Sequence, residues 1–146
     1  MEYKIREASQ RDFKYIKKLI YSVRINPIGL DWRRFIVATD PEDSILACGQ
    51  IKRHYDGSRE LASIAVCPEH QMKGLGSAVI RHLIEREPPP LYLTCRSQLE
   101  TYYVRFGFRK VSPVEMAPYF RRIYKLAKLL GNSGLMPTDI SVMIRS

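Results

Sequence analysis

The residues of this chain whose types and spacing could do chemistry are concentrated in Val66-Cys67-Pro68-Glu69-His70-Gln71-Met72-Lys73-Gly74-Leu75-Gly76. An apolar run, Leu61-Ala62-Ser63-Ile64-Ala65-Val66, reads as a largely buried strand before it. After it Leu75, Val79 and Leu83 recur at helical spacing until Pro88-Pro89-Pro90 ends the pattern. A glycine pair at such a strand-to-helix junction lets the backbone approach a ligand closely, and the unsatisfied N–H groups of the first helical turn then face an anion. Pyrophosphate is the natural occupant. Cys67 and His70 share the loop, so a thiol nucleophile with a histidine base is a second chemistry to weigh, but no third orienting group stands in the sequence nearby.

Two familiar phosphate loops do not fit. A P-loop needs G-x-x-x-x-G-K-[ST], and no glycine here precedes a Gly-Lys pair. A dinucleotide fingerprint needs G-x-G-x-x-G or alanine in the third place, where this chain has Val79, and it lacks the acidic residue farther on, having Thr94-Cys95-Arg96.

Gln71-Met72-Lys73-Gly74-Leu75-Gly76 does fit every fixed position of [RQ]-x-x-G-x-[GA], and Val66 and Pro68 fit the approach to it. A second segment, Leu99-Glu100-Thr101-Tyr102-Tyr103-Val104-Arg105-Phe106-Gly107-Phe108, pairs an aromatic residue with tyrosine and ends in Gly-Phe. Together they resemble the GNAT superfamily of acetyl-CoA-dependent N-acetyltransferases. The local physics of the second segment is coherent by itself. Ser97 with Glu100 is spaced as a capping box, Gly107 suits the left-handed residue after a helix, and Phe108 can open a strand with Lys110-Val111.

The resemblance implies a transferase, more narrowly an acyltransferase, moving an acetyl group from acetyl-CoA to a primary amine of a protein, peptide or small molecule. Binding would lie in a splay between the fourth and fifth strands. Tyr103, four residues before Gly107, occupies the place of the general acid that protonates the departing thiolate. Glu60, six residues before Val66, stands where many relatives carry a carboxylate that takes the amine's proton, directly or through water. Its direction does not follow from simple alternation, because relatives carry a bulge in this strand that resets side-chain parity. Backbone groups of Ile64, Ala65 and Val66 would pair with the pantetheine arm, and an N–H there would polarise the thioester carbonyl. Those of Gln71, Met72, Lys73, Gly74, Leu75, Gly76 and Ser77 would hold the pyrophosphate, with the Lys73 side chain as a further phosphate contact. One departure from the family pattern is Arg96, where relatives commonly use asparagine to bond the pantetheine.

The elements that must position these residues follow from periodicity. A strand near residues 2 to 7 leads to a helix from about 10 to 24, with Ser9 as N-cap and Phe13, Ile16, Ile20 and Val23 as its apolar stripe, broken at Asn26-Pro27-Ile28-Gly29. Residues 34 to 38 and 44 to 51 read as strands around the Asp40-Pro41-Glu42-Asp43 turn, and a hairpin at Asp56-Gly57 leads to the fourth strand. Leu91-Tyr92-Leu93-Thr94 is the fifth strand. From Met116 to about Leu130, Phe120, Ile123, Ala127 and Leu130 share one face while Arg121, Arg122, Lys125 and Lys128 crowd another; Gly131-Asn132 ends the helix and residues 140 to 144 suit a last strand. The basic face suits solvent, and it could equally screen acceptors, touch an acidic partner or form a homodimer.

The expected fold is therefore mixed α/β of GNAT type, a central twisted mixed sheet of about six to seven strands flanked by helices with an extra C-terminal basic helix before the last strand. Residues 1–146, at 45% hydrophobic content, suit a single N-acetyltransferase domain. The charged start of the chain reads as a strand and no apolar run approaches a membrane span, so a soluble, cytoplasmic protein is expected. Cys48, Cys67 and Cys95 are scattered, and His54, His70 and His82 share no ligand spacing, which argues against a disulfide framework or a metal site. The net charge of +9 is dispersed and no nucleic-acid motif accompanies it; an acidic coenzyme is itself a sufficient partner. The rival reading from another class is a catalytically silent acyl-CoA-binding regulatory module.

Overall fold

The computed structural model describes residues 1–131 and 139–146. The described residues form seven strands and four α-helices in the order β1 (Lys4–Glu7), α1 (Phe13–Ser22), β2 (Phe35–Thr39), β3 (Ile45–Arg53), β4 (Arg59–Val66), α2 (Leu75–Arg86), β5 (Leu91–Arg96), α3 (Glu100–Val104), β6 (Phe108–Lys110), α4 (Pro118–Gly131) and β7 (Ile140–Arg145). The sheet order is β1-β2-β3-β4-β5-β7-β6, so the last strand enters between β5 and β6. The pairs β1–β2, β2–β3, β5–β7 and β6–β7 are antiparallel and β4–β5 is parallel, which makes this a mixed sheet flanked by helices, as expected. The described residues form two compact units, Met1–Lys52 with Leu61–Glu87, and Arg53–Glu60 with Pro88–Ser146.

In the first unit every residue of β2 is buried, without the alternation of a half-exposed strand. Both faces are covered, which removes the polar positions. Ile16, Leu19 and Ile20 of α1 pack on Phe35, Val37 and Cys48. On the opposite pleat Gly49, aligned with Ile36, receives α2: a Cβ at Gly49 would stand 2.6 Å from the Ile64 side chain, 2.8 Å from Val79 and 3.1 Å from Leu83. Glycine at this position sets how closely α2 lies on the sheet. The helix expected from residue 10 begins instead as a 3-10 turn, Gln10–Asp12, with Ser9 and Asp12 in a capping box; α1 proper ends at Ser22 and Arg24 turns left-handed at φ +59°.

In the second unit β7 pairs with β5 from Leu91↔Arg145 to Arg96↔Ile140 and with β6 on its other edge. Phe120 of α4, fully buried, stacks on Tyr92 at 4.4 Å and packs with Val111, Met116, Val142 and Ile144. Arg122, Lys125 and Lys128 are not buried, so α4 presents a solvated basic back, while Arg121 turns inward and donates to the carbonyls of Pro113 and Met116. The helix is described as far as Gly131; the expected stop at Gly131-Asn132 reaches into Asn132, which lies outside the described residues.

One local expectation fails. Ser97 and Glu100 do not form a capping box: Ser97–Leu99 is a 3-10 turn, and the Glu100 carboxylate bonds the Ser141 hydroxyl of β7 with Lys110 Nζ at 3.7 Å. Ser141 is buried, so its hydroxyl needs a partner, and a tertiary acceptor outcompetes the local cap.

Candidate active site

The loop of the first unit is built by three local devices. Pro68–His70 is a single 3-10 turn, Met72 takes φ +65°, and Gly74 takes φ +82° as the residue before α2. Gly74 offers α2 no capping side chain, so the N–H groups of Leu75 and Gly76 gain no partner from it. Residues Gln71 to Gly74 are exposed, Met72 entirely, and the Gln71 amide donates to the Val66 carbonyl at 3.3 Å, tying the loop to the end of β4. Two left-handed positions, an open helix start and Lys73 together fit a phosphate-bearing group. Within β4, Ser63 has φ +60°; Glu60 and Leu61 are both buried, after which Ser63 and Ala65 are buried while Ala62, Ile64 and Val66 are partly exposed.

Cys67 is not arranged as a nucleophile. Its thiol donates to the Ile45 carbonyl at 3.3 Å and burial raises its pKa; it is the Cys67 carbonyl, not the thiol, that meets His70, accepting its backbone N–H at 2.9 Å. A cleft of about 830 Å³ opens between α1, the β2–β3 turn and the Cys67-Pro68-Glu69 approach to the loop.

In the second unit Tyr103 sits on α3, its ring edge-on to Tyr102 at 5.1 Å and to Phe108 at 6.3 Å. Gly107 is left-handed at φ +91°, as expected, but α3 stops earlier, at Val104 with Arg105 as its C-cap, and the turn through Gly107 leads on to β6. Burial, then the neighbouring Cys95 and Tyr102, push the Tyr103 phenol up to about 12, so it keeps its proton across the neutral range. Arg96 lies exposed at the end of β5.

Glu60 pairs across to Tyr92 in the β4–β5 ladder and is only 8% exposed. Both carboxylate oxygens are engaged: Oε1 lies 2.8 Å from His54 Nε2, and Thr94 Oγ1 donates to Oε2 at 3.3 Å. The His54 ring stacks on Tyr119 at 3.5 Å and meets Phe120 edge-on at 5.5 Å. Asp56 holds this arrangement from the hairpin turn, accepting the Tyr119 backbone N–H at 2.9 Å and the Ser58 hydroxyl at 2.6 Å. Sequence reasoning missed His54, Thr94 and Tyr119. The hairpin at Asp56-Gly57 was the available signal, because it brings the residues on its two arms together.

Among the described residues no helix is long and apolar enough to cross a membrane, and no group of three or more His, Cys, Asp or Glu could hold a metal ion.

Residues 31–110 match the sequence profile of the Acetyltransferase (GNAT) domain. No curated protein matches the chain in sequence. Similar solved structures include N-acetylglutamate synthase from Neisseria gonorrhoeae complexed with coenzyme A and N-acetyl-glutamate. It has TM-score 0.73 and 19% identity over 100% of this chain, which spans 36% of that protein. Rv2747 from Mycobacterium tuberculosis, in a complex containing CoA, superposes with TM-score 0.72 at 20% identity, covering 97% of each chain. A GNAT-family acetyltransferase from Staphylococcus aureus gives 0.70 at 15% identity over 99% and 98%. With the profile covering more than half of its length and the same fold in these structures, the chain belongs to the GNAT acetyltransferase family.

Proposed function

We propose that residues 1–146 act as a single acetyl-CoA-dependent N-acetyltransferase domain that passes the acetyl group to a primary amine by direct attack. The observation that carries this reading is the Gln71–Ser77 loop, left-handed at Met72 and Gly74 and leading into a helix with no capping side chain at Gly74. Its backbone N–H groups hold the pyrophosphate, Lys73 adds charge, and the backbone of Ile64, Ala65 and Val66 takes the pantetheine arm as an added strand would. Acetyl-CoA supplies the activated thioester; complexes of similar structures with coenzyme A support the assignment.

The chain's own groups then handle protons. Tyr103, protonated at neutral pH, gives its proton to the departing thiolate, and Glu60 marks the end of the site that accepts the amine's proton. A thiol intermediate is not needed, which suits the protonated Cys67. Three free cysteines accord with a reducing, cytoplasmic setting.

Thermal unfolding with and without acetyl-CoA, for the parent and for Gly76→Glu, tests the coenzyme site. Ligand at 100 times its dissociation constant adds about 2.7 kcal/mol, a rise of roughly 5 to 10 °C here. A shift in the parent alone, followed by thiol release and an acetylated product with a panel of amines, supports the reading. Binding without transfer to any amine would make the protein a silent acyl-CoA-binding module, and no shift in either folded protein would sink the coenzyme assignment.

A further inference from the structure

If the chain is the acetyltransferase proposed above, the proton-accepting end of its reaction contains more than a carboxylate. An ionised carboxylate only accepts hydrogen bonds, so across the 2.8 Å contact His54 Nε2 must carry the hydrogen toward Glu60. The lone pair of the neutral imidazole is then on Nδ1. That atom makes no hydrogen bond among the described residues and is not sealed from solvent. The ring cannot turn freely: Tyr119 covers one face, with planes 11° apart, and the edge of Phe120 abuts it. Tyr119 is held in turn by its N–H bond to Asp56.

Glu60, with one oxygen on His54 and the other on the Thr94 hydroxyl, is disposed as an orienting carboxylate; the imidazole is the group left with an unused basic atom. We propose that Nδ1 of His54 is the atom that takes the proton of the acceptor amine, with Glu60 as the positioning residue that fixes the tautomer and balances the imidazolium. An N–H bond of the ammonium breaks and its electron pair stays on nitrogen; Nδ1 gains the proton, giving an imidazolium–carboxylate pair. The neutral amine nitrogen then bonds the thioester carbon, the C–S bond breaks with its pair on sulfur, sulfur takes the proton of the general acid, and the second proton shed by the nitrogen as the amide forms returns through water to that acid. His54 finally returns its proton to water. The titratable and charged groups around His54 are Glu60 on β4, Asp56 in the hairpin, Tyr119 on α4 and Tyr55, whose ring lies under Arg122 at 5.5 Å.

The test measures kcat/KM against pH for the parent, His54→Ala, His54→Gln, Glu60→Gln and the His54→Ala/Glu60→Gln double variant, using the best amine of the panel. Ring ¹⁵N NMR of the parent accompanies it. Loss of His54 should cost about 100-fold at neutral pH, a loss that shrinks as rising pH deprotonates the amine unaided, while the acetyl-CoA thermal shift persists. The double variant should be no worse than His54→Ala, since the two residues act as a unit. NMR should find the Nε2–H tautomer, a readout that needs no variant to fold. Parent-like profiles for the His54 variants with a large loss in Glu60→Gln would overturn the proposal, as would an Nδ1–H tautomer. A parent that binds acetyl-CoA yet acetylates no amine would instead remove the acetyltransferase reading itself, and this inference with it.

Discussion

Gly49→Ala probes how closely the loop-bearing helix is held to its sheet. The added methyl would stand 2.6 Å from Ile64 Cδ1, 2.8 Å from Val79 Cγ1 and 3.1 Å from Leu83 Cδ1. The first is the far end of a flexible side chain and can rotate away. Val79 is β-branched and fully buried on α2, so relief there needs a shift of the helix backbone. Overpacking of this kind costs about 1 to 3 kcal/mol, and replacing glycine returns roughly 0.4 to 1 kcal/mol by narrowing the unfolded ensemble. The net expectation is a loss of about 1 to 2 kcal/mol, or roughly 3 to 7 °C in Tm at about 0.3 kcal/mol per degree for a chain of this size. Urea unfolding at fixed m-value would measure it. The partner variant Val79→Ala leaves a cavity on its own; combined with Gly49→Ala the two should compensate, so the double variant is more stable than the sum of the singles. A Gly49→Ala protein as stable as the parent, or two losses that simply add, would refute the claim that Gly49 is small because α2 presses on it.

Further consequences are open to direct measurement. Tyr103→Phe should lower turnover roughly 100-fold while leaving the acetyl-CoA thermal shift intact; because the phenol is raised to about 12, any alkaline limb from Tyr103 in the parent should lie near that value, and one centred near 10 would contradict the assignment. Asp56→Ala removes the acceptor of the Tyr119 N–H at the start of α4 and should cost about 1 kcal/mol, read by thermal unfolding, with a drop in turnover because Tyr119 no longer fixes His54. Arg6 grips both oxygens of Asp12, at 2.8 and 3.0 Å, and holds its carboxyl down to about 2. A folded-state value below the unfolded one contributes stability that is present above about pH 4 and lost as pH falls toward 2. Acid titration of stability should therefore lose about 1 to 2 kcal/mol in that window for the parent and not for Asp12→Asn.

Legible in the sequence is what neighbours in the chain decide. The strand-to-helix loop and the turn after α3 depend on backbone dihedrals within a few residues, so Gly74 at φ +82° and Gly107 at φ +91° could be read from residue type and spacing. Strand and helix positions followed from periodicity for the same reason, with boundaries a few residues off where a 3-10 turn took over at Gln10–Asp12. Partners across the fold were not legible, because the choice among donors of similar strength is made by packing. Glu100 had a local cap within reach and bonds Ser141 of β7 instead; Asp56 looked like a hairpin residue and also holds the first turn of α4. The sequence by itself determined the family, marked the Gln71–Ser77 loop as an anion site to test, and singled out Tyr103 and Glu60 as residues to examine. Only the tertiary structure joined His54 and Thr94 to the two oxygens of Glu60 and laid Tyr119 over the imidazole. Those contacts bring together the β3–β4 hairpin, β5 and α4, and no local rule carries a side chain's hydrogen-bond partner across that much chain.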